Sequence, residues 1–262
     1  MSQTLFQFSG ERLGVIEWCD PARGDTLVAD SWLVVDGHAV ATDRHRRRFV
    51  EACARHGLGD SSVAGFFESV LAHIPREGEW FPRVELVQTP GGPTLRYRER
   101  SAPNRLSTAV LALAHHDPRT SPMVKGPDLE SLQALRARVA EVGATEAVIA
   151  TRDGVLVEGA YSTLVVWPAG ADAMVLPPAA LPRIASVTES VLRDLAREWA
   201  IEVTEAPTRV DDLEGAEVWV ISALHGIRLV TEFVGGPALA TGRARSEAWF
   251  QAWWDRRSPL DG

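Results

Sequence analysis

The chain is poor in lysine. Of its 27 basic residues one is lysine, Lys125, and the rest are arginine. Arginine serves wherever positive charge is enough. It cannot serve where an amine must lose its proton and attack a carbonyl, because a guanidinium stays charged at any working pH. Codon usage that favours arginine is the plain explanation of the count, so the neighbours of Lys125 must decide whether its amine has a task. Cysteine is scarce too. Cys19 and Cys53 offer neither a metal-ligand spacing nor a disulfide framework, and a reducing cytoplasm is the expected setting. Basic residues are outnumbered by 35 acidic ones, and the net charge of −8 argues against nucleic acid or an anionic membrane as a partner. No apolar run approaches transmembrane length. The opening MSQTLFQFSGERLG lacks the basic segment and apolar run of a signal peptide. Internal repeats and low-complexity segments are absent.

Hydrophobic residues are 45% and charged residues 24%, the balance of a globular chain with a real core. At 262 residues it can form one large domain or two smaller ones. Leu13 to Ile16 and Ser31 to Val35 read as strands, with a hairpin turn at Asp36-Gly37. A helix is expected from Thr42 to a stop at Gly57. A second begins at Ser61 or Ser62, with Val63, Phe66, Phe67, Val70, Leu71 and Ile74 at helical spacing and Pro75 as its end. Trp80 to Gln88 and Thr94 to Arg100 flank a turn at Pro90-Gly91-Gly92.

Residues 115–126, HHDPRTSPMVKG, read as a polar linker. Pro127 suits the first turn of the next helix, and Asp128 and Glu130 complement the positive end of its dipole. Leu129, Leu132, Leu135 and Val139 form its buried stripe, and Gly143 stops it. Strands follow at 147–151, 155–157 and 163–167. Ser186-Val187-Thr188-Glu189 is a capping box that opens another helix. A strand at 217–221 leads into Ser222-Ala223-Leu224-His225-Gly226. The chain closes on a tryptophan-rich helix over 246–255, expected to pack on its own domain. Mixed strands and helices in both halves predict two α/β domains meeting near residue 120, with a ligand cleft there.

Four features then line up: Lys125 at the junction, Glu158 at a strand end, a capped helix start at Ser186-Val187-Thr188, and His45 with Arg48 on one helix face. This order resembles the class IV aminotransferase family, the fold-type IV enzymes that use pyridoxal 5′-phosphate (PLP). The likeness runs from roughly residue 30 to 230 and is densest from Lys125 to Trp167, KGPDLESLQALR leading into EAVIATRDGVLVEGAYSTLVVW. It implies a small N-terminal α/β domain over 1–115, a linker over 116–124 and a larger C-terminal domain with a mixed sheet over 125–262. The cofactor is expected in the interdomain cleft.

The resemblance also implies roles. Lys125 matches the Schiff-base lysine that moves a proton between substrate and cofactor. Glu158 matches the acid that keeps the pyridine nitrogen protonated. Val187 and Thr188 match the phosphate-binding helix start, and Arg48, in the His-x-x-Arg pattern, also reaches the phosphate. Four basic residues in five, His45, Arg46, Arg47 and Arg48, oppose the dipole near their helix start, and an anion nearby would relieve that. Ala223 and Leu224 sit where backbone N–H groups close the phosphate site.

Departures are visible. Glu189 stands where the phosphate motif usually has arginine, and Thr163 where many members carry asparagine. Ala29 and Asp30 stand where several members have a substrate-facing tyrosine and acid. For substrate, Arg96, Arg98 and Arg100 share one face of a strand. Two of them are expected in solvent, and Arg100, nearest the following loop, is the candidate for a substrate carboxylate. Tyr161 is either a substrate-side wall or a core residue, and His225 either lines the cleft or packs in its loop. Family members are usually homodimers. Two reactions fit the same residues: amino transfer between an amino acid and a 2-oxo acid, ranked first, and pyruvate elimination by an aminodeoxychorismate lyase.

Overall fold

A computed structural model describes residues 3–16 and 24–260. Cys19 lies outside the described residues. The chain divides into two compact units. One comprises Met1–Arg105, Val124–Pro127 and Arg256–Gly262; the other comprises Leu106–Met123 and Asp128–Asp255.

The first unit runs β1 (Gln3–Phe8), β2 (Leu13–Ile16), β3 (Asp25–Ser31), β4 (Val34–Val35), β5 (His38–Val40), α1 (Thr42–Ala54), α2 (Asp60–His73), β6 (Glu79–Trp80), β7 (Arg83–Thr89) and β8 (Gly92–Arg100). Its main sheet is antiparallel, in the order β2-β1-β8-β7-β3. Phe49 and Cys53 of α1, and Val63, Phe66, Phe67 and Val70 of α2, lie three or four residues apart. They bury one stripe of each helix against Val84, Leu86 and Tyr97 of the sheet. Ile74 is extended, as the residue before Pro75 must be, and α2 stops there. Asp36 and Gly37 both have positive φ, 46° and 71°, which suits a tight hairpin between β4 and β5.

Two sequence expectations need correction here. The strand expected over 31–35 is broken: β3 ends at Ser31 and β4 begins at Val34 in another sheet. Trp32 causes the break by filling the core, 1% exposed and stacked on Phe67 at 5.0 Å between ring centroids. The segment Gln3–Phe8, which had suggested no element, is a strand paired on both sides, to β2 and β8.

The second unit runs β9 (Thr108–Leu113), α3 (Leu129–Ala140), β10 (Glu146–Ala150), β11 (Leu156–Gly159), β12 (Thr163–Trp167), β13 (Ala173–Leu176), α4 (Val187–Glu198), β14 (Glu202–Glu205), β15 (Glu217–Ser222), β16 (Gly226–Phe233) and α5 (Ala244–Trp254). Its mixed eight-stranded sheet has the order β11-β10-β9-β16-β15-β12-β13-β14. Strand β9 is parallel to both neighbours, β10 and β16. That pairing is why the unit begins at Leu106, ahead of the 115 boundary drawn from sequence. The tryptophan-rich helix α5 packs within its own unit, Trp249 lying edge-on to Trp167 and Trp199. The last strand, β17 (Arg257–Pro259), returns to the first unit and completes a small sheet, β17-β5-β4-β6. Among the described residues no helix is long and apolar enough to cross a membrane.

Candidate active site

Lys125 sits on a short segment, Val124–Pro127, that groups with the first unit although its flanks belong to the second. Two contacts hold it against β3. The Ala29 N–H donates to the Lys125 carbonyl at 2.6 Å. Gly126, with φ of 142°, lies so close to the Val28–Ala29 backbone that a Cβ there would be 2.8 Å from the Ala29 nitrogen. Glycine is the residue that can hold this conformation and this approach. Downstream, Asp128 does not cap its own helix α3. Its carboxylate accepts from the Thr120 N–H and hydroxyl, both at 2.8 Å, and from the Ser121 N–H at 2.9 Å. The loop that carries Lys125 is thereby tied at its base and at its tip.

Asp30 organises the other ionic group of the first unit. It is 1% exposed, and its carboxylate accepts from Arg48 Nε at 2.8 Å and Nη2 at 2.7 Å, from His45 Nδ1 at 2.8 Å and from the Ser31 N–H at 2.7 Å. Burial alone pushes the Asp30 carboxyl up, but the Arg48 and His45 charges and their hydrogen bonds hold it well below the usual carboxylate range. Burial lowers the proton affinity of His45, Asp30 opposes that, and the charges of Arg48 and Lys125 lower it further. Lys125, His45 and Arg48 thus share one electrostatic neighbourhood. The anion expected beside the basic start of α1 is present as an internal carboxylate, and Asp30 anchors Arg48.

The second unit holds Glu158 at the end of β11, 5% exposed. Arg119 Nη1 donates to its Oε1, and the Ile184 N–H donates to Oε2 at 3.3 Å. Burial pushes the Glu158 carboxyl up to about 7, against the pull of Arg119, the Ile184 amide and Arg183. Ser186 accepts from the Glu189 N–H at 3.2 Å and caps α4, but the expected capping box has only this arm. The Glu189 carboxylate turns instead to Arg183 and to Arg193. The acid in place of the usual arginine is therefore neutralised by nearby guanidinium groups. Val187 and Thr188 are buried at the first turn, where their amides have no acceptor within the helix. Ala223, Leu224 and His225 form the turn between β15 and β16; His225 Nδ1 accepts from the Leu106 N–H at 3.1 Å.

The candidates for substrate contact have other partners. The Tyr161 hydroxyl donates to the Leu129 carbonyl at 3.0 Å, and its ring packs on the core beside α3. Arg96 and Arg98 do not form the solvated face expected of two of the three strand arginines. Arg96 is 3% exposed, and Arg98 donates to the buried Glu85 at 2.7 Å, a carboxylate it shares with Arg83. Arg100 donates to the Phe81 carbonyl at 3.0 Å and to Ser31 Oγ at 3.3 Å. Burial and the charges of Arg83 and Arg98, opposed by Glu85, bring its pKa down to about 10. Sequence reasoning missed Arg119, Arg183 and the anchoring part of Asp30. Arg119 meets Glu158, and Asp30 meets Arg48, across separate elements that no local spacing links; Arg183 meets Glu189 six residues on.

The chain matches the amino-transferase class IV family over residues 27–233 and belongs to it. Its fold is that of solved fold-type IV enzymes. A hypothetical aminotransferase from Mycobacterium tuberculosis in its PLP-bound form is 19% identical, with a TM-score of 0.77 over 96% of this chain and 98% of the other. A fold IV-transaminase from Curtobacterium pusillum is 20% identical, with a TM-score of 0.78 over 97% and 98%. The branched-chain amino acid aminotransferase from Escherichia coli is 15% identical, with a TM-score of 0.79 over the whole of both chains. No curated protein sequence matches the chain.

The residues present fit PLP by charge and donor type. Asp117 (−1), Arg119 (+1) and Glu158 (−1) leave one uncompensated negative charge when Glu158 is ionised, which suits a protonated ring nitrogen. Taken separately, Lys125 is an amine of the kind PLP requires, and the start of α4 has free amides of the kind a phosphate accepts from.

Proposed function

We propose that the protein is a PLP-dependent aminotransferase that moves an amino group between an amino acid and a 2-oxo acid. The observation that carries this reading is the placement of the lone lysine, pinned through its own carbonyl to β3 and followed by a glycine pressed against that strand. When bound, PLP supplies an electron sink for carbon–hydrogen bond cleavage beside an amino group.

The chain's own residues do the rest. The Lys125 amine holds the cofactor and moves the substrate proton. Glu158 accepts a hydrogen bond from the ring nitrogen. Val187, Thr188, Ala223 and Leu224 offer donors to the phosphate, as does Arg48, whose orientation Asp30 fixes. Arg100 takes a substrate carboxylate, and Tyr161 and His225 remain the second unit's candidates for substrate contact. The active protein is a homodimer in the cytoplasm, in keeping with the family and with the scarcity of cysteine.

The experiment has two arms. Purified protein loaded with PLP is given a panel of L- and D-amino acids with 2-oxo acids, and new amino and 2-oxo acids are measured. Transfer from at least one donor supports the reading. Release of 4-aminobenzoate from aminodeoxychorismate, with no transfer from any donor, replaces it with the lyase reaction. Protein that takes up no PLP overturns both.

A further inference from the structure

Arg119 lies six residues before Lys125, on the loop between β9 and α3. Its side chain is 2% exposed, and every nitrogen of the guanidinium has an acceptor. Nε donates to Asp117 Oδ1 at 2.9 Å and Nη2 to Asp117 Oδ2 at 2.7 Å, a bidentate fork. Nη1 donates to Glu158 Oε1 and to the Pro182 carbonyl, the latter at 2.9 Å. Asp128, by holding Thr120 and Ser121, fixes the backbone on the far side of Arg119. The fork therefore has one orientation, and that orientation is set from outside the acid it serves.

Glu158 would not hold a charge well without such a partner, because burial opposes it. The other charged group that acts on it is Arg183, whose guanidinium is bound to Glu189 at 2.5 Å. The Ile184 amide is a dipole and not a charge. Among the described residues Arg119 alone brings a full positive charge into contact with the carboxylate, and Asp117 compensates that charge in turn.

We propose that Arg119, forked between Asp117 and Glu158, is a positioning residue that favours the ionised form of Glu158 and fixes the oxygen it offers to the cofactor's ring nitrogen. The inference rests on the PLP reading for its purpose, but the coupling of Arg119 to Glu158 is testable without cofactor. A lysine at 119 carries the same charge without the fork, so it separates charge from orientation.

The test follows the Glu158 carboxyl by NMR titration in cofactor-free protein labelled with carbon-13 glutamate, its signal assigned by its loss in Glu158→Gln. Wild-type protein is expected to titrate near 7. Arg119→Gln is expected to move the midpoint up by about 1–3 pH units, the usual effect of an arginine beside a carboxyl. Arg119→Lys is expected to return it most of the way. In a second arm, PLP dissociation constants are measured by equilibrium dialysis. Both variants are expected to bind more weakly than wild type, Arg119→Lys because orientation is lost although charge is kept. An unchanged Glu158 midpoint in Arg119→Gln, or wild-type PLP affinity in Arg119→Lys, overturns the inference while leaving the aminotransferase reading intact. Wild-type protein that binds no PLP while its Glu158 still responds to Arg119→Gln overturns that reading, and with it the cofactor-directed purpose of the pair.

Discussion

Replacing Gly126 by alanine tests how the lone lysine is held. The new Cβ would lie 2.8 Å from the Ala29 nitrogen and the Val28 carbonyl carbon and 2.9 Å from Val28 Cα, all backbone atoms. The φ of 142° adds strain whatever the space. If the loop stayed in place, strained backbone at about 1–3 kcal/mol and overpacking at about 1–3 kcal/mol would both be incurred. Moving the loop away from β3 gives up the hydrogen bond from Ala29 to the Lys125 carbonyl, worth about 1 kcal/mol. The second route costs less, so the loop is expected to move and global stability to fall by only about 1–2 kcal/mol.

Function should suffer more than stability, because a misplacement of about 1 Å at a reacting group can cost about 100-fold in rate. Equilibrium unfolding of the cofactor-free variant measures the first effect; PLP uptake and amino-transfer rate measure the second. Gly126→Ala with wild-type stability, uptake and turnover would refute the claim that this contact positions Lys125.

Other perturbations follow from the same geometry. Asp30→Asn removes the charge facing Arg48 and His45 in a buried site and should destabilise the first unit by about 3–5 kcal/mol, read from denaturant unfolding. The Asp30 carboxyl is held below its unfolded value of 3.8, so its stabilisation is present above that pH and lost as pH falls through the lower folded value. Glu158 has the opposite sign in cofactor-free protein. Its folded value of about 7 exceeds the unfolded 4.5, so its contribution is full below 4.5 and lost as pH rises through about 7. That loss is at most about 3 kcal/mol and should be absent from the unfolding profile of Glu158→Gln. Gly226→Ala would place a Cβ 2.6 Å from the Trp253 ring and 2.9 Å from Phe250, displacing α5 from the turn that carries Ala223 and Leu224. Lower stability by about 1–3 kcal/mol and altered tryptophan fluorescence are expected.

The sequence showed most clearly what is encoded locally. The turn at Asp36-Gly37, the Ser186 cap and the apolar stripes of α2 and α3 are each set by residues within a few positions of one another, and each was legible. The His-x-x-Arg pattern placed His45 and Arg48 on one face, and both do reach a common partner. That partner is Asp30, 15 and 18 residues away, and periodicity carries no trace of it. Arg119 is 39 residues from Glu158 and sits in a stretch that composition marks only as a polar linker. Glu189 looked like the second arm of a cap because the motif places it there; two arginines compete for its carboxylate and win. Strand β1 escaped notice because Gln3–Phe8 alternates weakly and takes its meaning from β8, more than eighty residues on.

The central claim is that the Lys125 amine is the group to which PLP becomes attached. Reduction of the PLP-loaded protein with borohydride, followed by proteolysis and mass spectrometry, tests it directly. The account predicts a reduced pyridoxyl adduct on the peptide containing Met123-Val124-Lys125, and no adduct in Lys125→Ala. An adduct at the N-terminal amine alone, or none from protein that has bound PLP, would contradict it.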